Sequence, residues 1–353
     1  MSATPGKLRF GICGLGFMGR THFARLSQHA DVQLVALSDK NPDKRAGRWR
    51  SGTGNIGARG SEQVDVSRLR QYADPLELAR DPDVDVVVVS LPTPLHVSVA
   101  TAALHAGKHV FCEKPMSLTV GACDTLTAAA RQTGRTLMVG QCVRFWPQYE
   151  TIRGLLDAGR LGDVRFMTLR RVSSPPIFAS DNWYMDHKQS GGALFDLHVH
   201  DIDFAQHLWG PPARLSASGS RGPSGGIDHV VATWHWDDGR YATLEGGWCF
   251  HIPFAFEMAI TVHGSAGTAE WSSAHGDDVY LYTGAAERDA FKCDAATGWS
   301  REMDYFVAQL RAGQPVARCT PESCRTSIRL AELEQESISG GCAEVLVPRV
   351  AGA

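Results

Sequence analysis

Gly14-Leu15-Gly16-Phe17-Met18-Gly19 is the stretch of this chain whose spacing most directly implies a chemistry. Gly14 permits a tight bend, Gly16 lets a backbone approach a pyrophosphate, and Gly19 lets a helix pack closely on the preceding strand. A helix opening at Phe17 and Met18 would turn its unpaired N–H groups and partial positive charge toward the phosphates. Alone, the spacing is a weak signal; its context strengthens it. The run Lys7–Cys13 reads as a buried strand before it, and a helical pattern follows to about His29. Asp39 then ends the next apolar run, where a carboxylate accepts hydrogen bonds from both ribose hydroxyls and repels a 2′-phosphate. This favours NAD as cofactor, while Lys40 beside it leaves NADP open.

Two further groups could move protons. Glu113-Lys114-Pro115 follows the strand His109–Cys112, at the carboxyl end where ligands of open α/β sheets sit. Lys114 there could hold a substrate hydroxyl and, partly desolvated, pass a proton; an exposed surface lysine is the plainer alternative. In the stretch Gly191 to Asp203, a helix would bring Asp196, His200 and Asp203 to one face. Histidine titrates near neutrality and suits acid–base work beside a carboxylate; a satisfied packing histidine is the bland reading. His198 and His200 as metal ligands would need an extended segment, because i and i+2 diverge on a helix, so no metal is expected.

These side chains need a scaffold. Asp83–Ser90, rich in valine, suits a parallel strand covered on both faces. His96–Ala106 reads as helix, Thr119–Gln132 as helix and Thr136–Gly140 as strand. The alternation implies a doubly wound parallel sheet of Rossmann type. Residues 48–68, with Arg48, Arg50, Gly52, Gly54, Gly57, Arg59 and Gly60, break the rhythm and read as a surface loop or a flap over the adenosine end. After about residue 145 the pattern changes. A helix at Tyr149–Ala158 precedes the extended runs Val164–Val172, His229–Trp236, Tyr241–Phe250, Phe256–His263 and Val279–Tyr282. Asp238-Gly239 is a hairpin turn between two of them. This second part is expected to be an α+β domain on a large, open, mostly antiparallel sheet. The domains are 1–145 and 146–353, with the helices Glu302–Arg311 and Pro321–Ser337 packing back on the first.

The 353 residues exceed what one core usually serves. A net charge of −3 gives no general attraction to nucleic acid or anionic membranes. No apolar run suggests a membrane span, and Met1 to Lys7 does not read as a signal peptide, so a cytoplasmic location is expected. The nine cysteines form no CxxC pair and read as reduced core residues.

Together these motifs resemble the Gfo/Idh/MocA family of oxidoreductases. The resemblance rests on the glycine turn, on Leu91-Pro92-Thr93-Pro94-Leu95-His96 after the valine strand, on Glu113-Lys114-Pro115, and on Gly191-Gly192 leading to Asp196 and His200. It implies that Lys114, Asp196 and His200 are catalytic, as in inositol dehydrogenases. It also implies that Leu91, Pro92, Thr93, His96 and Glu113 meet the nicotinamide half of the cofactor. Arg144 and Trp146 are candidate substrate contacts, with Trp183 and Lys188; the Arg144-Phe-Trp-Pro stretch is similar to the sugar-dehydrogenase branch. The family's C-terminal sheet is commonly the oligomer interface, implying a homodimer or homotetramer. The expected reaction is hydride transfer between nicotinamide and a secondary alcohol of a sugar, anhydrosugar or cyclitol. A non-catalytic sugar sensor and an NAD-dependent glycosidase are the rival readings.

Overall fold

The computed structural model describes residues 6–51, 60–177, 180–284 and 286–348. The N-terminal residues 1–5 and residues 52–59 of the Gly/Arg-rich stretch lie outside the described residues. The chain forms two compact units. One comprises Met1–Gln141, Phe178–Trp183 and Trp299–Arg325, the other Cys142–Ile177, Tyr184–Gly298 and Thr326–Ala353.

In the first unit the elements run β1 (Leu8–Cys13), α1 (Phe17–Ser27), β2 (Val32–Ser38), α2 (Pro42–Arg45), β3 (Arg48–Ser51), β4 (Gly60–Gln63), β5 (Arg70–Tyr72), α3 (Pro75–Ala79), β6 (Val86–Val89), α4 (His96–His105), β7 (His109–Glu113), α5 (Val120–Thr133) and β8 (Leu137–Gly140). Six of the strands form one parallel sheet in the order β5-β2-β1-β6-β7-β8. The chain works outward from β1 to one edge, then returns to β6 and builds the other. That reversal makes a crevice at the carboxyl ends of β1 and β6. The four valines of β6 are fully buried, as a central strand covered on both faces requires.

The loop expected at 48–68 is corrected in its described part: Arg48–Ser51 and Gly60–Gln63 pair antiparallel as β3 and β4. Trp49 anchors this pair, 5% exposed, packing edge-on against Phe23 at 4.8 Å and donating its indole N–H to the Lys44 carbonyl. The surrounding glycines and arginines mask this single apolar anchor in the sequence.

The second unit holds α6 (Pro147–Asp157), β9 (Val164–Val172), α7 (His187–Ser190), a π-helical turn Leu194–His198 and α8 (Val199–Trp209). There follow β10 (Arg214–Arg221), β11 (Ile227–His235), β12 (Tyr241–Gly247), β13 (Glu257–Gly264), β14 (Thr268–Ser272), β15 (Val279–Tyr282) and β16 (Asp289–Phe291). The chain ends with α9 (Gly298–Ala312), α10 (Pro321–Ser339) and β17 (Val345–Leu346). Nine strands form a mixed sheet, antiparallel throughout except where β9 runs parallel to β12. Burial alternates along β9, β11, β12 and β13, so one face is packed and the other carries polar and aromatic side chains. β10 is missing from the sequence reading because its small and polar residues lack a strong apolar alternation, and β14 because its alternation is only five residues long.

Candidate active site

The glycine turn links β1 to α1, and its three glycines do different work. Gly14 has φ +92°, and a Cβ there would stand 2.4 Å from the Ser90 carbonyl oxygen. A Cβ on Gly19 would stand 1.8 Å from the Gly14 carbonyl oxygen. A Cβ on Gly16 would meet nothing within 4 Å. The protein itself therefore demands Gly14 and Gly19, whereas the backbone at Gly16 is left bare and open to approach. No side chain caps α1 at Gly16, so the helix presents its first N–H groups toward that side. These features fit a dinucleotide pyrophosphate.

Asp39 lies just past β2 and is 9% exposed. Its Oδ2 accepts the Leu15 N–H at 2.9 Å, and its Oδ1 accepts the Asn41 N–H at 2.9 Å. The carboxylate thus fastens the glycine turn. Lys44, not singled out in the sequence, places its ammonium 3.7 Å from Oδ2, while Lys40 next to Asp39 is exposed.

At the end of β7, Glu113 is buried and Lys114 half-buried. Glu113 Oε1 meets His22 Nε2 at 2.6 Å, and Glu113 Oε2 accepts the Lys114 N–H at 3.1 Å. Leu91 and Pro92 are half-buried in the link from β6 to α4, and Thr93 is buried. His96 is 1% exposed, with one ring nitrogen on the Pro115 carbonyl at 2.9 Å and the other on the Leu91 carbonyl at 2.8 Å. Burial pushes its pKa below the ordinary value, against the pull of the two carbonyls. The ring therefore lies between the end of β6 and the turn that carries Lys114, and the single N–H of its neutral form donates to one of the two carbonyls.

In the second unit, Gly191 and Gly192 take positive φ and lead into the π-helical turn that contains Asp196. Such turns are rare and frequent at functional sites. The buried Asp228 carboxylate anchors the entry, accepting the Ala193 N–H at 3.3 Å and the Ser224 hydroxyl at 2.6 Å. Asp196 and His200 keep 8% and 9% exposure. Their neighbours turn inward. His198 is fully buried, 3.0 Å from Glu334, and a Cβ on Gly246 would stand 2.4 Å from its ring. The His198–His200 chelate is therefore not formed. Asp203, expected on the Asp196–His200 face, is fully buried against Arg144 at 2.6 Å and Ser327 at 2.7 Å. Arg144 is 3% exposed in that bidentate pair, so its fork holds α8 rather than reaching for a ligand. Arg171 pairs with Asp201 in the same way. Trp146 is half-buried before α6, Trp183 is half-buried, and Lys188 is exposed on α7.

Sequence reasoning passed over His22 and Glu302. Both stand at apolar phases of their helices, His22 with Gly19, Phe23 and Leu26, and Glu302 with Met303 and Phe306. A polar residue at such a phase is the signal that could have found them.

The model of an oxidoreductase family with an NAD-binding Rossmann fold matches residues 8–141, and the Gfo/Idh/MocA C-terminal domain model matches residues 149–270. Inositol 2-dehydrogenase of Rhizobium meliloti strain 1021 is 28% identical over 88% of this chain and 91% of its own length. Trans-1,2-dihydrobenzene-1,2-diol dehydrogenase of Bos taurus is 28% identical over 74% of this chain and 73% of its own. Among solved structures, aldose-aldose oxidoreductase of Caulobacter crescentus superposes with a TM-score of 0.79 at 22% identity, covering 97% of this chain and all of that one. With both domain models matched in order, the chain belongs to the Gfo/Idh/MocA family of NAD-binding oxidoreductases.

Proposed function

We propose that this protein is an NAD-dependent dehydrogenase of a secondary alcohol on a sugar or cyclitol. The observation that carries the reading is at the carboxyl edge of the six-stranded sheet. The glycine turn after β1, open only at Gly16, and Lys114 after β7 stand on either side of β6. The two relatives' named substrates, an inositol and a dihydrobenzene diol, share a six-membered carbocycle with neighbouring hydroxyls, which supports this substrate class.

Bound nicotinamide supplies the redox partner for the alcohol carbon. The chain's own residues manage the oxygen and its proton. His200 takes the hydroxyl proton, and Lys114 holds the oxygen and relays that proton. Asp196 orients the substrate or the His200 ring. Trp146, Trp183 and Lys188 are the proposed substrate contacts; Arg144 is not, because Asp203 occupies its fork. Asp39 supports NAD over NADP, since a buried carboxylate at the end of β2 disfavours a 2′-phosphate. The open face of the nine-stranded sheet supports a homodimer or homotetramer, and the net charge of −3 supports a protein with no nucleic-acid partner.

An absorbance screen for nicotinamide reduction across cyclitols, cyclic diols, aldoses and anhydrosugars, run with both NAD and NADP, tests this. Reduction of NAD with a polyol is expected. No signal with either nucleotide would overturn the dehydrogenase reading, and a clear preference for NADP would overturn the role of Asp39.

A further inference from the structure

Glu302 on α9 is fully buried, and neither of its carboxyl oxygens has a hydrogen-bond partner among the described residues. It faces Glu113 from the end of β7 and His22 from α1, with one donor atom of each lying within 4.8 Å of the others. Arg25 and Asp304, on the same two helices, pair with each other. Gly140 at the end of β8 closes the box, since a Cβ there would stand 3.2 Å from the Glu113 carboxyl. The three donors do not describe an ion site. His22 Nε2 and Glu113 Oε1 are 2.6 Å apart, a hydrogen bond, whereas neighbouring ligands on bonds of about 2.1 Å stand roughly 3 Å or more apart.

Two ionised carboxylates buried side by side would repel each other and lose bulk hydration. Burial and the neighbouring Glu113 both push the Glu302 pKa well above its ordinary value. The opposite oxygen of Glu113 accepts the amide of Lys114. We propose that Glu302 is a positioning residue for Lys114: held as a neutral carboxylic acid, it leaves the negative charge of the pair on Glu113, which fixes the turn bearing the lysine. This rests on the reading of Lys114 as a catalytic group. When pH rises far enough to ionise Glu302, the two carboxylates push apart and the turn loses its anchor. A raised folded-state pKa also means that the stability from this group is full below the ordinary glutamate range and falls as pH climbs toward the folded value.

Glu302→Gln mimics the neutral acid, Glu302→Leu removes its polarity, and Glu302→Asp withdraws it by one methylene. The infrared difference between wild type and Glu302→Gln near neutral pH should contain the C=O stretch of a protonated carboxyl. Carboxylate bands alone would overturn the proposal. The melting temperature of Glu302→Gln relative to wild type should rise between about pH 5 and about pH 9; a difference that ignores pH would count against it. Glu302→Gln should keep kcat within about threefold and lose the alkaline decline of wild type. The Leu variant, neutral like the acid, should also lose the alkaline decline, whereas Asp, still ionisable, should keep one, each with an unchanged dissociation constant for NAD. An alkaline decline that persists in both the Gln and the Leu variants would refute the positioning role. Should the Leu variant not fold, the Gln and Asp variants carry this comparison. If wild type reduces no nicotinamide with any alcohol, the function proposed above fails, while the infrared and melting measurements still decide the state of Glu302.

Discussion

Lys114 is the residue on which the proposed chemistry depends most. It leaves a strand whose end is fixed from three sides, by His22 on Glu113, by His96 on the Pro115 carbonyl, and by Gly140, which leaves room for the Glu113 carboxyl. Lys114→Ala removes the ammonium without touching these anchors. It should reduce turnover by about a hundredfold to ten-thousandfold, while NAD binding followed by fluorescence titration stays near wild type. Turnover close to wild type would remove Lys114 from the mechanism. Lys114, Asp196 and His200 are singled out in the sequence by motif, Lys114 before Pro115 at the end of a strand and the other two in the stretch that follows Gly191-Gly192. His22 and Glu302 are not, because an isolated polar residue inside an apolar helical phase becomes informative only when a second element brings its partner. The same blindness affects Arg144: the sequence shows a cation near the expected site, and only packing shows that Asp203 occupies it.

At the scale of the element, the turn from β1 to α1 separates what folding needs from what a ligand needs. Gly19→Ala would drive a methyl into the Gly14 carbonyl, so it should break the turn, lower stability and abolish NAD binding together. Gly16→Ala meets no protein atom. Its stability should stay within about 0.5 kcal/mol of wild type by denaturant titration, yet its NAD affinity should fall about tenfold or more. Equal losses of stability in both variants would show that Gly16 also serves packing. The turn and the main strands of both sheets are legible in the sequence, since β6, β9 and β11 carry continuous or alternating apolar residues. The short strands are not: β3 hides a single tryptophan among arginines and glycines, and β10 has the composition of a loop. For such segments the partner strand, rather than intrinsic preference, decides the conformation.

At the scale of the whole molecule, the nine-stranded sheet leaves one face with Phe166 stacked on Tyr241 at 5.4 Å and with His263 beside it. Arg170 bridges Glu245 and Glu257 there, and Val231 is 37% exposed. This face is the proposed contact between copies. Val231→Glu should lower the molar mass seen by light scattering while leaving the circular dichroism spectrum intact; an unchanged assembly would place the contact elsewhere. The make-up of the first unit has a further effect, on synthesis. Its sheet is complete at β8, but the helix that sets Phe306 5.6 Å from Phe111 and brings Glu302 to Glu113 belongs to Trp299–Arg325. At about 5–20 residues per second the ribosome needs roughly ten to thirty seconds to cover that interval. A chain ending at Gln141 should therefore bind a hydrophobic dye and fail to bind NAD, and tight nucleotide binding by that fragment would count against this order of assembly. The nascent protein spends that time as an unfinished nucleotide fold, and its last quarter supplies the missing wall.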